Sequence, residues 1–83
     1  MTMYTVRVKP ASEQYERPVI IEAETPDAAA VEGLTRAGQG GVGERCRLDV
    51  YLGSNGYYTL EERLLRAWGS YDANTATATI EQD

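Results

Sequence analysis

The chain contains no histidine and no phenylalanine, and among its 83 residues there are only one cysteine, one tryptophan and three prolines. The missing histidine removes the usual general base near neutral pH, any Cys–His nucleophile pair, and any imidazole-ligated zinc, iron or copper centre. One cysteine, Cys46, excludes an internal disulfide and points to a reducing compartment. No apolar run approaches the roughly 18 residues that a membrane-spanning helix needs. The first residues, Met1 to Arg7, lack the apolar core of a secretory signal. A cytoplasmic location is therefore expected. No D-x-D-x-D-G run exists for a calcium loop, so no metal and no cofactor is expected.

Basic residues are also scarce, with 8 against 13 carboxylates and a net charge of −5. Neutralising a phosphate backbone requires a basic face, so direct binding of nucleic acid is not expected. The acid excess is uneven. Glu13 to Asp27 carries five carboxylates against Arg17 alone, whereas Glu44 to Arg66 is balanced. With no recognisable acid–base pair, the chain is expected not to be an enzyme. Glu61 and Glu62 do not supply one, because adjacent helical residues do not face each other.

A domain this small buries only about 60–65% of its unfolded surface, so one core is all it can build. Residues Met3 to Lys9 alternate, with Tyr4, Val6 and Val8 on one side, and Pro10 ends the strand. A polar loop leads to a second strand over Pro18 to Glu24, with Val19, Ile21 and Ala23 inward. Thr25-Pro26-Asp27 opens a helix, with an N-cap, a proline at the first position and an acid near the positive dipole end. Ala30, Val31, Leu34 and Ala37 follow at helical spacing, and Gly38 is the expected terminator.

Gly38-Gln39-Gly40-Gly41-Val42-Gly43 spells G-x-G-x-x-G, but a helix precedes it and a strand follows. That is the reverse of a dinucleotide site, so the run reads as a connector. Glu44 to Leu52 alternates most clearly, with Cys46, Leu48, Val50 and Leu52 inward and Arg45, Arg47, Asp49 and Tyr51 outward. Cys46 reads as a buried structural thiol. Gly53 to Gly56 is a turn.

Two signals compete after it. Tyr57-Tyr58-Thr59 could return as a hairpin strand. Thr59 and Glu62 have capping-box spacing, and Leu60, Leu64 and Trp68 recur every fourth residue, which favours a helix over 60–68. Thr75 to Glu81 reads as a last strand with Ala76, Ala78 and Ile80 inward. The expected fold is a single α+β domain over 1–83. One antiparallel sheet of three to five strands carries one or two helices, in the order β-β-α-β-(α or β)-β, and the third strand lies antiparallel beside the first. The expected core is Tyr4, Val6, Val8, Val19, Ile21, Cys46, Leu48 and Val50, capped by Val31 and Leu34.

The segment from Tyr4 to Ala37 pairs a strand, a polar loop and the run Val19-Ile20-Ile21-Glu22-Ala23-Glu24-Thr25-Pro26-Asp27-Ala28-Ala29-Ala30. In outline it resembles small phage and mobile-element proteins, among them anti-CRISPR proteins that pack one or two helices on an antiparallel sheet. That resemblance covers under half the chain. It implies an inhibitor that occupies a surface of a CRISPR effector complex, with a basic nucleic-acid-binding surface of a host complex as its target.

Six tyrosines suit a protein interface, since tyrosine offers apolar area with a polar tip. The expected contact residues are Glu13, Tyr15, Glu16, Tyr57, Tyr58, Tyr71 and Asp72, all at loops and segment ends. The alternative is a self-associating structural or accessory module, a homodimer paired through the edge of the last strand.

Overall fold

The computed structural model describes residues 1–54 and 62–82. Five strands and one helix follow one another as β1 (Thr2–Pro10), β2 (Arg17–Ala23), α1 (Pro26–Gln39), β3 (Cys46–Leu52), β4 (Arg63–Asp72) and β5 (Thr77–Gln82). The strands form one antiparallel sheet in the order β2-β1-β3-β4-β5. The third strand thus lies beside the first, as the sequence predicts.

Each element follows from local chemistry. β1 and β2 are joined through a tight turn in which Glu13 N donates to Pro10 O. Thr25 has extended backbone, and its hydroxyl accepts from Ala28 N at 3.1 Å, which satisfies one of the helix's first free donors. The helix runs one residue past the expected terminator. Gly40 closes it, its N–H donating to Arg36 O and Ala37 O. Gly41 then takes a φ of 107°, which a side chain would strain.

The core lies between α1 and one face of the sheet. It contains Tyr4, Val6, Val8, Ile21, Ala23, Ala29, Ala30, Leu34, Cys46, Leu48, Val50, Ala67 and Tyr71, with Val19, Leu65, Ala78 and Ile80 packed against it. The helix touches all five strands. Its buried stripe is Ala29, Ala30, Gly33 and Leu34, and small residues there let its backbone approach the sheet. A methyl group at Gly33 would stand 2.8 Å from Val6 Cγ1, and one at Gly38 would collide with Cβ and Cγ of Tyr71.

Several expectations are corrected. The helix over 60–68 is not formed: Arg63–Asp72 is a strand paired with both β3 and β5. Its inward residues are Leu65, Ala67, Gly69 and Tyr71, a period of two. The fourfold recurrence of Leu64 and Trp68 is overridden by pairing on both sides. Tyr57 to Leu60, with the capping threonine, lie outside the described residues, and Glu62 stands immediately before β4. Val31 does not cap the core; it is 38% exposed on the outer side of the helix. Leu52 is also exposed, although its partner on β1, Tyr4, is in the core. Ala76 lies in the β4–β5 turn with a φ of 53° and not on β5. Asp49 and Tyr51 point outward as expected, yet both are buried.

The fit at Gly38 gives a test. Replacing an interior helical glycine by alanine ordinarily stabilises by about 1 kcal/mol. Here the new methyl meets the stem of Tyr71, which cannot swing clear, and overpacking costs typically about 1–3 kcal/mol. Gly38→Ala is expected to lower the melting temperature by several degrees, at about 4–8 °C per kcal/mol for a domain of this size. An unchanged or raised value would mean that the helix stands further from β4.

Candidate functional site

Because α1 covers one face of the sheet, the alternate residues of every strand form a second face, which no helix covers among the described residues. Three rows cross it in register. Thr5, Tyr51 and Arg63 make the first, Arg7, Asp49 and Arg66 the second, and Lys9, Arg47, Trp68 and Glu81 the third. Arg45, just ahead of β3, reaches over Trp68. This face therefore gathers Arg7, Lys9, Arg45, Arg47, Arg63 and Arg66, six of the chain's 8 basic residues. The other two, Arg17 and Arg36, pair with Glu13 and Glu32.

The middle of the face is held by Asp49, which is 2% exposed. Arg66 grips it with a fork, Nε donating to Oδ1 at 2.8 Å and Nη2 to Oδ2 at 3.4 Å. Arg63 Nη1 lies 3.7 Å from Oδ1. Between Val50 and Tyr51 the β3–β4 register shifts, so that Tyr51 faces Arg63 and Leu64 is skipped. That bulge turns Arg63 towards the carboxylate. Beside it, Arg7 bonds Glu16 at 3.1 Å and lies over the ring of Tyr51, 5.7 Å from its centroid. Burial, and after it the negative charge of Asp49, pushes the Tyr51 hydroxyl pKa above its ordinary value. Thr5 is fully buried and donates to Gly53 O at 2.7 Å.

The third row is built differently. The guanidinium carbons of Arg47 and Arg45 stand 4.7 and 4.8 Å from the centroid of the Trp68 ring. Such contacts attract the cation and fix its plane. Arg47 Nε is buried and has no acceptor among the described residues. None of Lys9, Arg45 and Arg47 forms a salt bridge among the described residues, where the ion pairs are confined to Arg7, Arg17, Arg36, Arg63 and Arg66. Arg45, Trp68, Gly69, Ser70, Thr79 and Glu81 line a shallow depression of about 360 Å³.

The expected contact residues are not gathered in this way. Glu13 and Glu16 are paired with Arg17 and Arg7. Tyr15, between them in the β1–β2 loop, is 78% exposed. Tyr71 faces the helix and is 8% exposed, its ring lying against Gly38. Asp72 is exposed at the end of β4, where Oδ1 accepts from Asn74 N and shapes the turn. Tyr57 and Tyr58 lie outside the described residues. The β1–β2 loop and the β4–β5 turn share one end of the sheet, with β3 between their strands.

Sequence reasoning missed Lys9, Arg45, Arg47 and Trp68 as a group. The alternation of Glu44 to Leu52 did put Arg45 and Arg47 on one side; the strand order and the strand character of β4 add the other two.

Among the described residues no three potential ligands are close enough together to hold a metal ion, and no helix is long and apolar enough to cross a membrane. Cys46 is buried, its thiol donates to Glu44 O at 3.3 Å, and burial raises its pKa. A scan against protein-family models and searches among curated proteins and solved structures return no match.

One ionic contact at the loop end is open to titration. Ser12 N and Oγ both donate to Glu44 Oε1 at 2.7 Å, fastening the β1–β2 loop to the connector before β3. Those bonds favour the carboxylate, so the Glu44 pKa falls below its ordinary 4.5. The contribution is complete above that value and is lost as pH drops through the lower folded value. Glu44→Gln is expected to lower the melting temperature at neutral pH, and the gap to the parent should narrow as the solution is acidified. A gap independent of pH would show that the contact does not depend on the charge.

Proposed function

We propose that this chain is a non-catalytic binding protein that works by occupying a partner's surface with the face of its sheet opposite α1. The observation that carries this reading is the asymmetry of the two faces. One is sealed by a helix fitted through glycine and alanine. The other leaves arginines and a tryptophan standing in ordered rows. Arginine, tryptophan and tyrosine are the side chains in which interface energy concentrates. Neighbours that fix their rotamers lower the entropy lost on binding.

An inhibitor that blocks its target by covering it, the role implied by the anti-CRISPR resemblance, is the narrower form of the same proposal. The lone buried thiol of Cys46 suits a partner in a reducing compartment. A basic target meeting the acidic loops finds less support, because Glu13 and Glu16 are already paired within the chain.

The test is to block each face in turn. Ser70 is exposed beside Thr79 on the sheet face opposite α1, and Val31 is exposed on the outer side of the helix. Ser70→Cys and Val31→Cys are each coupled to a bulky maleimide; buried Cys46 is expected to stay unmodified. Partner retained from a lysate of the parent cell should fall at least tenfold with the Ser70 adduct, about 1.4 kcal/mol, and stay unchanged with the Val31 adduct. The opposite result would move the working surface to the helix side.

A further inference from the structure

We infer that the partner presents an acidic protein segment, and that its carboxylates seat on Lys9, Arg45 and Arg47 around Trp68. This rests on the binding-face reading above and adds the chemistry of the occupant. The face divides electrostatically into two parts. Arg63 and Arg66 are spent on Asp49, and Arg7 on Glu16. Lys9, Arg45 and Arg47 form no such pair among the described residues, and the register sets Lys9 beside Arg47 and Arg47 beside Trp68.

The nearest carboxylates offset them only in part. Glu44 keeps its charge and attracts Lys9, but Ser12 holds its oxygens and it forms no salt bridge among the described residues. Glu81 sits beyond Trp68 on β5 and confines the positive patch to β1 and β3. The buried Arg47 Nε is a donor already stripped of water and without an acceptor. A carboxylate reaching it gains a charge-assisted bond to a donor whose own desolvation cost is already met. The ring of Trp68 holds two guanidinium planes at 4.7 and 4.8 Å before any partner arrives.

A nucleic acid fits less well. Three cations without a salt bridge among the described residues offer few phosphate contacts, and a long polyanion running past this patch meets a body of net charge −5 along the rest of its length. Single strands also gain from stacking bases on open aromatic faces, and the Trp68 ring is already engaged by arginine. A short peptide with spaced carboxylates can pair each buried charge with one of the three cations.

The experiment is an NMR titration of the labelled protein with capped hexaglutamate, capped hexaglutamine and a thymidine hexanucleotide. Hexaglutamate is expected to give saturable shifts at the Trp68 indole N–H and the amides of Lys9, Arg45 and Arg47. The affinity should fall as salt rises. Hexaglutamine should move none of them. Arg45→Gln should weaken the effect at least threefold and Arg45→Glu/Arg47→Glu at least tenfold, with Arg36→Glu on the helix as the unaffected control. Arg45 precedes β3, so its single substitution keeps the test valid if the double variant does not fold. Equal shifts with hexaglutamine, shifts confined to the helix, or tighter binding of the hexanucleotide at the same signals would overturn the inference. If hexaglutamate leaves Trp68 unmoved while the Ser70 adduct still blocks the partner, the acidic occupant is wrong and the binding face stands. If the Ser70 adduct blocks nothing, both fall.

Discussion

A carboxylate buried at the centre of a sheet is tolerated only when it is paired and hydrogen-bonded, and Asp49 imposes that condition on everything around it. It stands on β3, the middle strand, and both of its cationic partners come from β4. Leaving such a charge without partners costs several kcal/mol. β4 must therefore lie against β3 with Arg66 opposite Asp49. A slip of one residue would send Arg66 into the core and Ala67 out of it. The bulge that skips Leu64 meets the same condition, since it brings Arg63 to the carboxylate as well. One buried acid thus favours the register of two strands, gives residues 63–72 a reason to be extended, and decides which arginines are neutralised.

The two faces of the sheet solve different problems. On the helix side the requirement is close approach. Gly33 and Gly38 leave room for Val6 and Tyr71, and the buried Ala29 and Ala30 ahead of them keep the helix axis near the strands. On the other side no element covers the strands among the described residues, and side chains cover them instead. Arg7 shields Tyr51, Arg63 and Arg66 shield Asp49, and Arg45 and Arg47 flank Trp68. A face closed by its own arginines is ordered and polar, and it keeps donors available. Those properties favour recognition by charge over recognition by an apolar groove.

Much of the fold was legible because local signals agreed with the tertiary structure. The alternation in β1, β2 and β3 has the period of a sheet with one covered face, and Thr25-Pro26-Asp27 carries the chemistry of a helix start. The antiparallel neighbourhood of β1 and β3 followed from chain geometry. β4 was misread because its inward positions, Leu65, Ala67, Gly69 and Tyr71, include a glycine and a small alanine, which weaken the period of two. Leu60, Leu64 and Trp68 meanwhile imitate a helical stripe. The stabilising partner of that strand is Asp49, fourteen or more residues away in sequence, and no window of local pattern contains it.

The site was less legible for the same reason. Tyr71 reads as a surface residue at a segment end until the absent side chain of Gly38 is seen to make room for it. Lys9, Arg47 and Trp68 come from three strands whose order must be known before they become neighbours. The acidic loop residues were conspicuous by composition, but Glu13 and Glu16 serve Arg17 and Arg7.

A double-mutant cycle on folding free energy with Asp49→Ala and Arg66→Ala tests the central claim most directly. If the buried carboxylate organises β3 and β4, Asp49→Ala alone should be strongly destabilising, because it leaves two arginines on that face without their shared partner. Its coupling to Arg66→Ala should exceed about 1 kcal/mol, within the range of about 0.5–3 kcal/mol found for residues in contact. A coupling indistinguishable from zero, with Asp49→Ala close to the parent in stability, would contradict the account.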